Sequence, residues 1–162
     1  MAHAIIAVGS NIDPQPNIAA ALQHLTRHVE LIACSQVWEF ESMGSPGPNY
    51  LNLAVEVEGE LGQDALRALL KEIEQALGRV RDPHDKNAPR VIDLDLVVYA
   101  EQVADEDFWE RPYQLIPLAD LRPDLVKPGG TQDLAALAGD WKERIFSLRH
   151  PELRSRLLPL SD

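Results

Sequence analysis

Two hydrophobic periods alternate along this chain, and they divide it into elements before any single residue is considered. Ala4-Ile5-Ile6-Ala7-Val8 is a short continuous apolar run closed by the turn-forming trio Gly9-Ser10-Asn11, which predicts a first strand. Asp13-Pro14 offers an N-cap and a first-turn proline. Ile18, Ala21, Leu22, Leu25 and Val29 then recur at helical spacing and predict a helix from about Pro16 to His28. Leu31 to Phe40 predicts a second strand, with Ile32, Cys34, Trp38 and Phe40 sharing a face. A loop dense in Gly and Pro runs from Ser42 to Asn49. Beyond it Tyr50 to Val57 alternates as a third strand. Tyr50, Asn52, Ala54 and Glu56 face one way; Leu51, Leu53, Val55 and Val57 face the other. Gln63 to Leu77 predicts a second helix that turns Leu66, Leu69, Leu70, Ile73 and Leu77 inward and stops at Gly78. Val91 to Tyr99 predicts a fourth strand, with Ile92, Leu94, Leu96 and Val98 on one face and Asp93 and Asp95 on the other.

Strand, helix, strand, strand, helix, strand is the split βαβ arrangement of a ferredoxin-like α+β fold. The expectation is an antiparallel sheet with helices packed on one face, plus a C-terminal extension. In that extension Tyr113 to Leu118 is a short apolar piece and Asp133 to Leu137 a short helix. Pro151 to Asp162 reads as a terminal helix or tail of modest core value. A length of 162 residues and an apolar fraction of 45% suit one domain spanning 1–162.

Charge narrows the class of partner. A net charge of −11 argues against nucleic acid and anionic membranes, and no apolar run is long enough to span a bilayer. Cys34 is the single cysteine, which rules out an internal disulfide and a cysteine-based zinc site; with no signal-peptide pattern, a cytoplasmic setting is expected. Within this acidic chain, Arg79, Arg81, Lys86 and Arg90 cluster against only Asp82 and Asp85. Such a cationic island suits a small polyanion.

The Asp93-x-Asp95 pair follows that island directly. Two residues apart on a strand, their Cα atoms lie roughly 6.5–7 Å apart, close enough to converge on divalent cations. Alone, the pair equally describes an exposed sheet face. Beside Arg79, Arg81 and Arg90 it describes hard oxygen ligands for Mg2+ next to permanently charged forks for phosphate. There is no G-x-x-x-x-G-K-[ST] loop and no G-x-G-x-x-G fingerprint, so a nucleotide would be held by arginine and metal. Tyr50 and Asn52, on one strand face beside Gly44, could stack on and hydrogen-bond a flat heterocycle; Tyr50 could equally be an ordinary strand aromatic. His24 and His28 stand i, i+4, half a metal site without an obvious third ligand.

Gly9-Ser10-Asn11, Gly44 with Tyr50-Leu51-Asn52, Glu74 with Gly78-Arg79-Val80-Arg81, and Pro89-Arg90 with Ile92-Asp93-Leu94-Asp95 occur in that order. Together they resemble the 6-hydroxymethyl-7,8-dihydropterin pyrophosphokinase family of folate biosynthesis, over about Ala4 to Asp124. The resemblance implies transfer of pyrophosphate from ATP to the pterin's hydroxymethyl oxygen, with release of AMP. By position it implies Asp93 and Asp95 holding two Mg2+ against ATP, with Arg81 and Arg90 on the phosphates. Arg79, Glu74 and Arg111 would lie on the ATP side. Tyr50 and Tyr113 would sandwich the pterin, with Asn52 and the stretch Ser42, Met43 and Gly44 at its edge. Small-molecule substrates alone, no nucleic acid or membrane, and a monomeric state complete the expectation. Where the family carries an extra stretch with a Pro-His motif, this chain has only Ala100 to Glu110, acidic and without histidine. Two other readings follow: a weakly catalytic paralogue that binds pterin or nucleotide, and a non-catalytic ferredoxin-like ligand-binding module.

Overall fold

The computed structural model describes residues 1–44, 46–78 and 91–159. At its centre is β1 (Ala2–Ser10), antiparallel to β4 (Tyr50–Gly59) on one side and to β5 (Asp93–Tyr99) on the other. Both faces of β1 are covered, which is why Ala4 to Val8 is apolar without alternation. The far edge of β4 pairs with β2 (Glu30–Cys34) and then with β3 (Trp38–Phe40). Two short strands complete the sheet: β6 (Gln102–Val103) beside β5, and β7 (Ser147–Arg149) beside β3.

α1 (Pro14–Leu25) and α2 (Gln63–Ala76) cover one sheet face, as the periodicity predicts. Ile18, Leu22, Leu25, Leu66, Leu70 and Ile73 meet Ile6, Val8, Leu53, Val55, Leu94 and Leu96 there. The opposite face is closed by a 3₁₀ turn at Glu106–Glu110, by α3 (Pro112–Leu121) and by α4 (Leu134–Arg144). Phe108, Trp109, Leu115, Ile116 and Leu118 lie on Ile5, Ala7, Trp38, Phe40 and Ala54. The ferredoxin-like βαββαβ core thus has its own two helices on one face, and the chain after β5 supplies the second layer.

Four expectations change. The predicted strand from Leu31 to Phe40 breaks at Ser35, whose N–H donates to the Ala54 carbonyl (2.9 Å) while its Oγ accepts from the Ala54 N–H (2.8 Å). One residue thereby takes up both ladder groups of Ala54, and the alternation restarts in the other phase. Cys34 joins the first core, Trp38 and Phe40 join the second, and Ile32 is exposed. In β5 the register against β1 shifts between Ile5 and Ile6, leaving Val97 as a bulge residue. Val97 and Val98 both enter the second core, so Val98 leaves the face that Ile92, Leu94 and Leu96 share. Asp13 stands at the N-cap of α1 with φ 41° and makes no side-chain cap bond. The C-terminal segment has more than modest core value. α5 (Pro151–Leu157) buries Leu153 and Leu157, one helical turn apart, against the first core, and Arg154 Nε donates to the Cys34 carbonyl at 3.1 Å. Burial raises the Cys34 thiol to about 11, which makes it an inert core residue.

Candidate active site

The site is a row of residues running across three strands. Asn52 of β4 pairs with Gly9 of β1, and Gly9 pairs with Asp93 of β5. One step along, Ala54 pairs with Ala7, and Ala7 with Asp95. Directly paired residues point to the same side of an antiparallel sheet, so Tyr50, Asn52, Asp93 and Asp95 share the face that α3 partly covers. Between Asn52 and Asp93 stands Gly9, without a side chain; one step along, Ala7 and Ala54 are packed into the second core. Two strand spacings, about 10 Å, separate the Asn52 column from the aspartate column.

Glycine is required at position 9 by this arrangement. A Cβ there would lie 3.3 Å from Asn52 Cγ and closer still to its Nδ2. We expect Gly9→Ala to displace the Asn52 amide with the fold intact, because the added Cβ takes the space its Nδ2 occupies. The Asn52 side-chain amide resonances read this; unshifted resonances would mean that the amide is not confined.

Asn52 is buried, and its Oδ1 has no hydrogen-bond partner among the described residues. A buried acceptor left unpaired costs about 1–3 kcal/mol, a cost that a ligand's donor could offset; the amide's other end, Nδ2, is the atom that lies against Gly9. Next to Asn52, Tyr50 is half-buried at the start of β4. The loop before Tyr50 is held at two points: Asn11 Nδ2 donates to the Pro48 carbonyl (3.2 Å), and Asn49 Nδ2 donates to Glu39 Oε2 (2.7 Å). Gly44 takes φ 83°, a left-handed conformation that glycine adopts without a Cβ penalty. Ser42 is half-buried and Met43 exposed.

On the aspartate side, Ser10 Oγ donates to the Val91 carbonyl at 2.5 Å and so fixes the start of β5. Glu74, buried on α2, accepts from the Leu94 N–H at 2.9 Å, which ties α2 to the same strand between the two aspartates. Burial and the neighbouring Asp93 charge push the Asp95 carboxyl up to about 6. Gln114 of α3 donates to Asp95 Oδ2 at 2.7 Å. Arg111, at the N-cap of α3, lies 3.1 Å from Asp105 Oδ2 and 3.6 Å from Asp107 Oδ2. Asp105 is therefore occupied with Arg111, and with the Asp107 N–H that its Oδ1 caps at 3.0 Å. Tyr113 follows in the first turn of α3, half-buried.

The 7,8-dihydro-6-hydroxymethylpterin-pyrophosphokinase family matches residues 5–123. The chain belongs to that family. It is accordingly a diphosphotransferase of folate synthesis that acts on small molecules, and enzymes of this family use ATP and generally need Mg2+. A pyrophosphokinase of Methylorubrum extorquens is 36% identical over 159 residues, covering 90% of this chain and 99% of its own length. One from Pseudomonas aeruginosa is 34% identical, covering 77% of this chain and 83% of its own. The crystal structure of Plasmodium falciparum HPPK-DHPS with pterin and p-hydroxybenzoate superposes with a TM-score of 0.67 at 11% identity. That likeness covers 88% of this chain but only 43% of the longer one, and it concerns the fold.

The structure brings Tyr50, Asn52, Asp93 and Asp95 onto one face and places Arg111 and Tyr113 at the start of the helix crossing it. Arg79, Arg81 and Arg90 lie outside the described residues. The donor set fits the family's cation. Two carboxylates on alternate positions of one strand suit Mg2+. That ion binds through one or two carboxylates and completes its shell with phosphate and water. α1 ends at Leu25, short of the predicted His28, so His28 lies in the turn after it; its ring is tilted against that of His24 with centroids 6.1 Å apart, and the two join no group of three His, Cys, Asp or Glu that could hold a metal ion among the described residues. Sequence reasoning missed Gln114. Its signal was a single amide inside the apolar run Tyr113 to Leu118, where a polar group needs a partner.

Proposed function

We propose that this protein transfers pyrophosphate from ATP to 6-hydroxymethyl-7,8-dihydropterin, giving the pterin diphosphate and AMP. The pterin's alcohol oxygen bonds to the β-phosphorus as the bond from that phosphorus to the oxygen shared with the α-phosphate breaks. The hydroxyl proton is released and AMP departs. The observation that carries this reading is the buried Oδ1 of Asn52, unpartnered among the described residues, in one cross-strand row with Asp93 across Gly9. A heterocycle with ring donors suits the first position, and a cation-bound phosphate suits the second.

Asn52 orients the pterin edge, with Ser42, Met43 and Gly44 beside it, and Tyr50 and Tyr113 stack on its faces. Asp93 and Asp95 would hold two Mg2+, which supply charge neutralisation at the phosphates when bound. Arg81 and Arg90 would fork the transferred phosphates, with Arg79, Arg111 and Glu74 on the nucleotide side. For Glu74 the bond to the Leu94 N–H supports a contribution through the seating of β5 as well. Positioning and electrostatic stabilisation then carry the catalysis, as in phosphoryl transfer generally. The single cysteine supports a reducing, cytoplasmic setting, and no described helix is long and apolar enough to cross a membrane.

AMP release from ATP in the presence of Mg2+ and 6-hydroxymethyl-7,8-dihydropterin tests the reading, with Asp93→Ala as the inactive control. We expect pterin-dependent AMP from the wild type and loss of at least about a thousandfold in the variant, the scale of charge-stabilising groups at phosphorus. AMP at background with pterin still bound would favour the weak paralogue, whose one support is the acidic Ala100–Glu110 segment.

A further inference from the structure

We propose that Gln114 is a positioning residue that sets the Asp95 carboxylate and the Arg111 guanidinium at one mutual geometry through its two amide atoms. The inference rests on the reading of Asp95 as a cation ligand. Gln114 is buried in the first turn of α3, followed directly by the buried apolar pair Leu115 and Ile116. An amide in such a place is costly unless both its ends are satisfied. Here they are, and by groups of opposite charge: Nε2 donates to Asp95 Oδ2 at 2.7 Å, while Oε1 accepts from Arg111 Nη1 at 3.4 Å. The same Nη1 also donates to Asp105 Oδ2 at 3.1 Å, so one guanidinium nitrogen is shared between the two acceptors. The result is a continuous chain Asp95–Gln114–Arg111–Asp105, joining β5, α3 and the 3₁₀ turn.

Glutamine is chemically suited to this place. Its donor engages Oδ2 of Asp95, and Oδ1 takes no hydrogen bond from the described residues, so the second oxygen stays available to a cation. A lysine or arginine would neutralise the carboxylate and compete with a divalent ion. A glutamate would add a third negative charge beside Asp93 and Asp95 and would offer Asp95 no donor. A leucine or methionine would fill the space and leave Oδ2 without its partner. Only a neutral group with a donor at one end and an acceptor at the other keeps Asp95 charged and directed while holding Arg111 beside it. Hydrogen-bond partners of metal-ligating groups typically change metal affinity by about 10–100-fold when removed.

The test uses the full chain with Gln114→Leu and Gln114→Asn, the second keeping the amide but one methylene too short to reach both partners. The first readout is binding of Mn2+ with α,β-methylene-ATP, followed by loss of the free-ion paramagnetic resonance signal. The second is steady-state transfer. We expect both variants to bind Mn2+ about tenfold or more weakly and to lose about tenfold or more in kcat, with KM for the pterin within about twofold and melting close to the wild type. Mn2+ affinity and kcat within about twofold of the wild type in either folded variant would overturn the proposal. Weakened Mn2+ binding in the variants of a wild type that releases no AMP would sustain the positioning role while refuting the proposed transfer.

Discussion

Asp95→Asn is expected to abolish pyrophosphate transfer and, in the absence of metal and nucleotide, to make the protein more stable above pH 6. The first effect follows from removing the proposed cation ligand. The second follows from the proton balance of folding. An aspartate that ionises at 3.8 in the unfolded chain ionises at about 6 here, chiefly through burial and then through the Asp93 charge. Between those values the folded protein holds a proton that the unfolded chain has lost, so stability falls as pH rises through this window. By pH 7.5 the ionised carboxylate costs the metal-free fold on the order of 2–3 kcal/mol, because each tenfold change in a proton-binding constant is worth about 1.4 kcal/mol. Asparagine carries no such cost and can still accept from Gln114 Nε2. Urea melts should show variant and wild type alike near pH 4 and separating by about 2 kcal/mol at pH 7.5. Near-normal transfer by the variant would sink the metal assignment; equal stability at pH 7.5 would refute the strained carboxylate.

Asn52→Leu is expected to cost about a hundredfold in pterin affinity while leaving the fold as stable as before or about 1 kcal/mol more so. The side chains are close in shape, and the wild-type amide is buried with Oδ1 unpaired among the described residues. An orphaned acceptor is a loss to the free protein that a ligand's donor makes good, so its removal harms binding and spares folding. Fluorescence titration with pterin and a thermal melt measure the two effects separately. Affinity within about threefold of the wild type would refute the role of Asn52 at the pterin edge. In both positions the site is where the fold is least content with itself, the usual relation between activity and stability.

Much of this was legible beforehand for a local reason. Side chains two apart on a strand share a face whatever the strand meets, so Tyr50 with Asn52 and Asp93 with Asp95 could be paired from spacing alone. The helical faces of α1 and α2 followed from their period in the same way. Apart from the local left-handed turn at Asp13 and the earlier end of α1 at Leu25, the expectations that changed are those in which a distant segment intervened. Ser35 takes both ladder groups of Ala54 and reverses the phase of the strand before β3. The shift against Ile5 and Ile6 turns Val98 to the opposite core. α5 looked dispensable because its two leucines find their partners only across α1 and the first core.

The sequence by itself determined the elements, the faces of the strands and the family signature that unites their motifs, because each is written in spacings of a few residues. Only the tertiary structure decided that Asn52, Gly9 and Asp93 form one row, since strand register is set between segments more than forty positions apart. It also decided that Gln114 meets Asp95. A lone amide in an apolar run announces that it needs a partner, but which carboxylate answers depends on where α3 crosses the sheet.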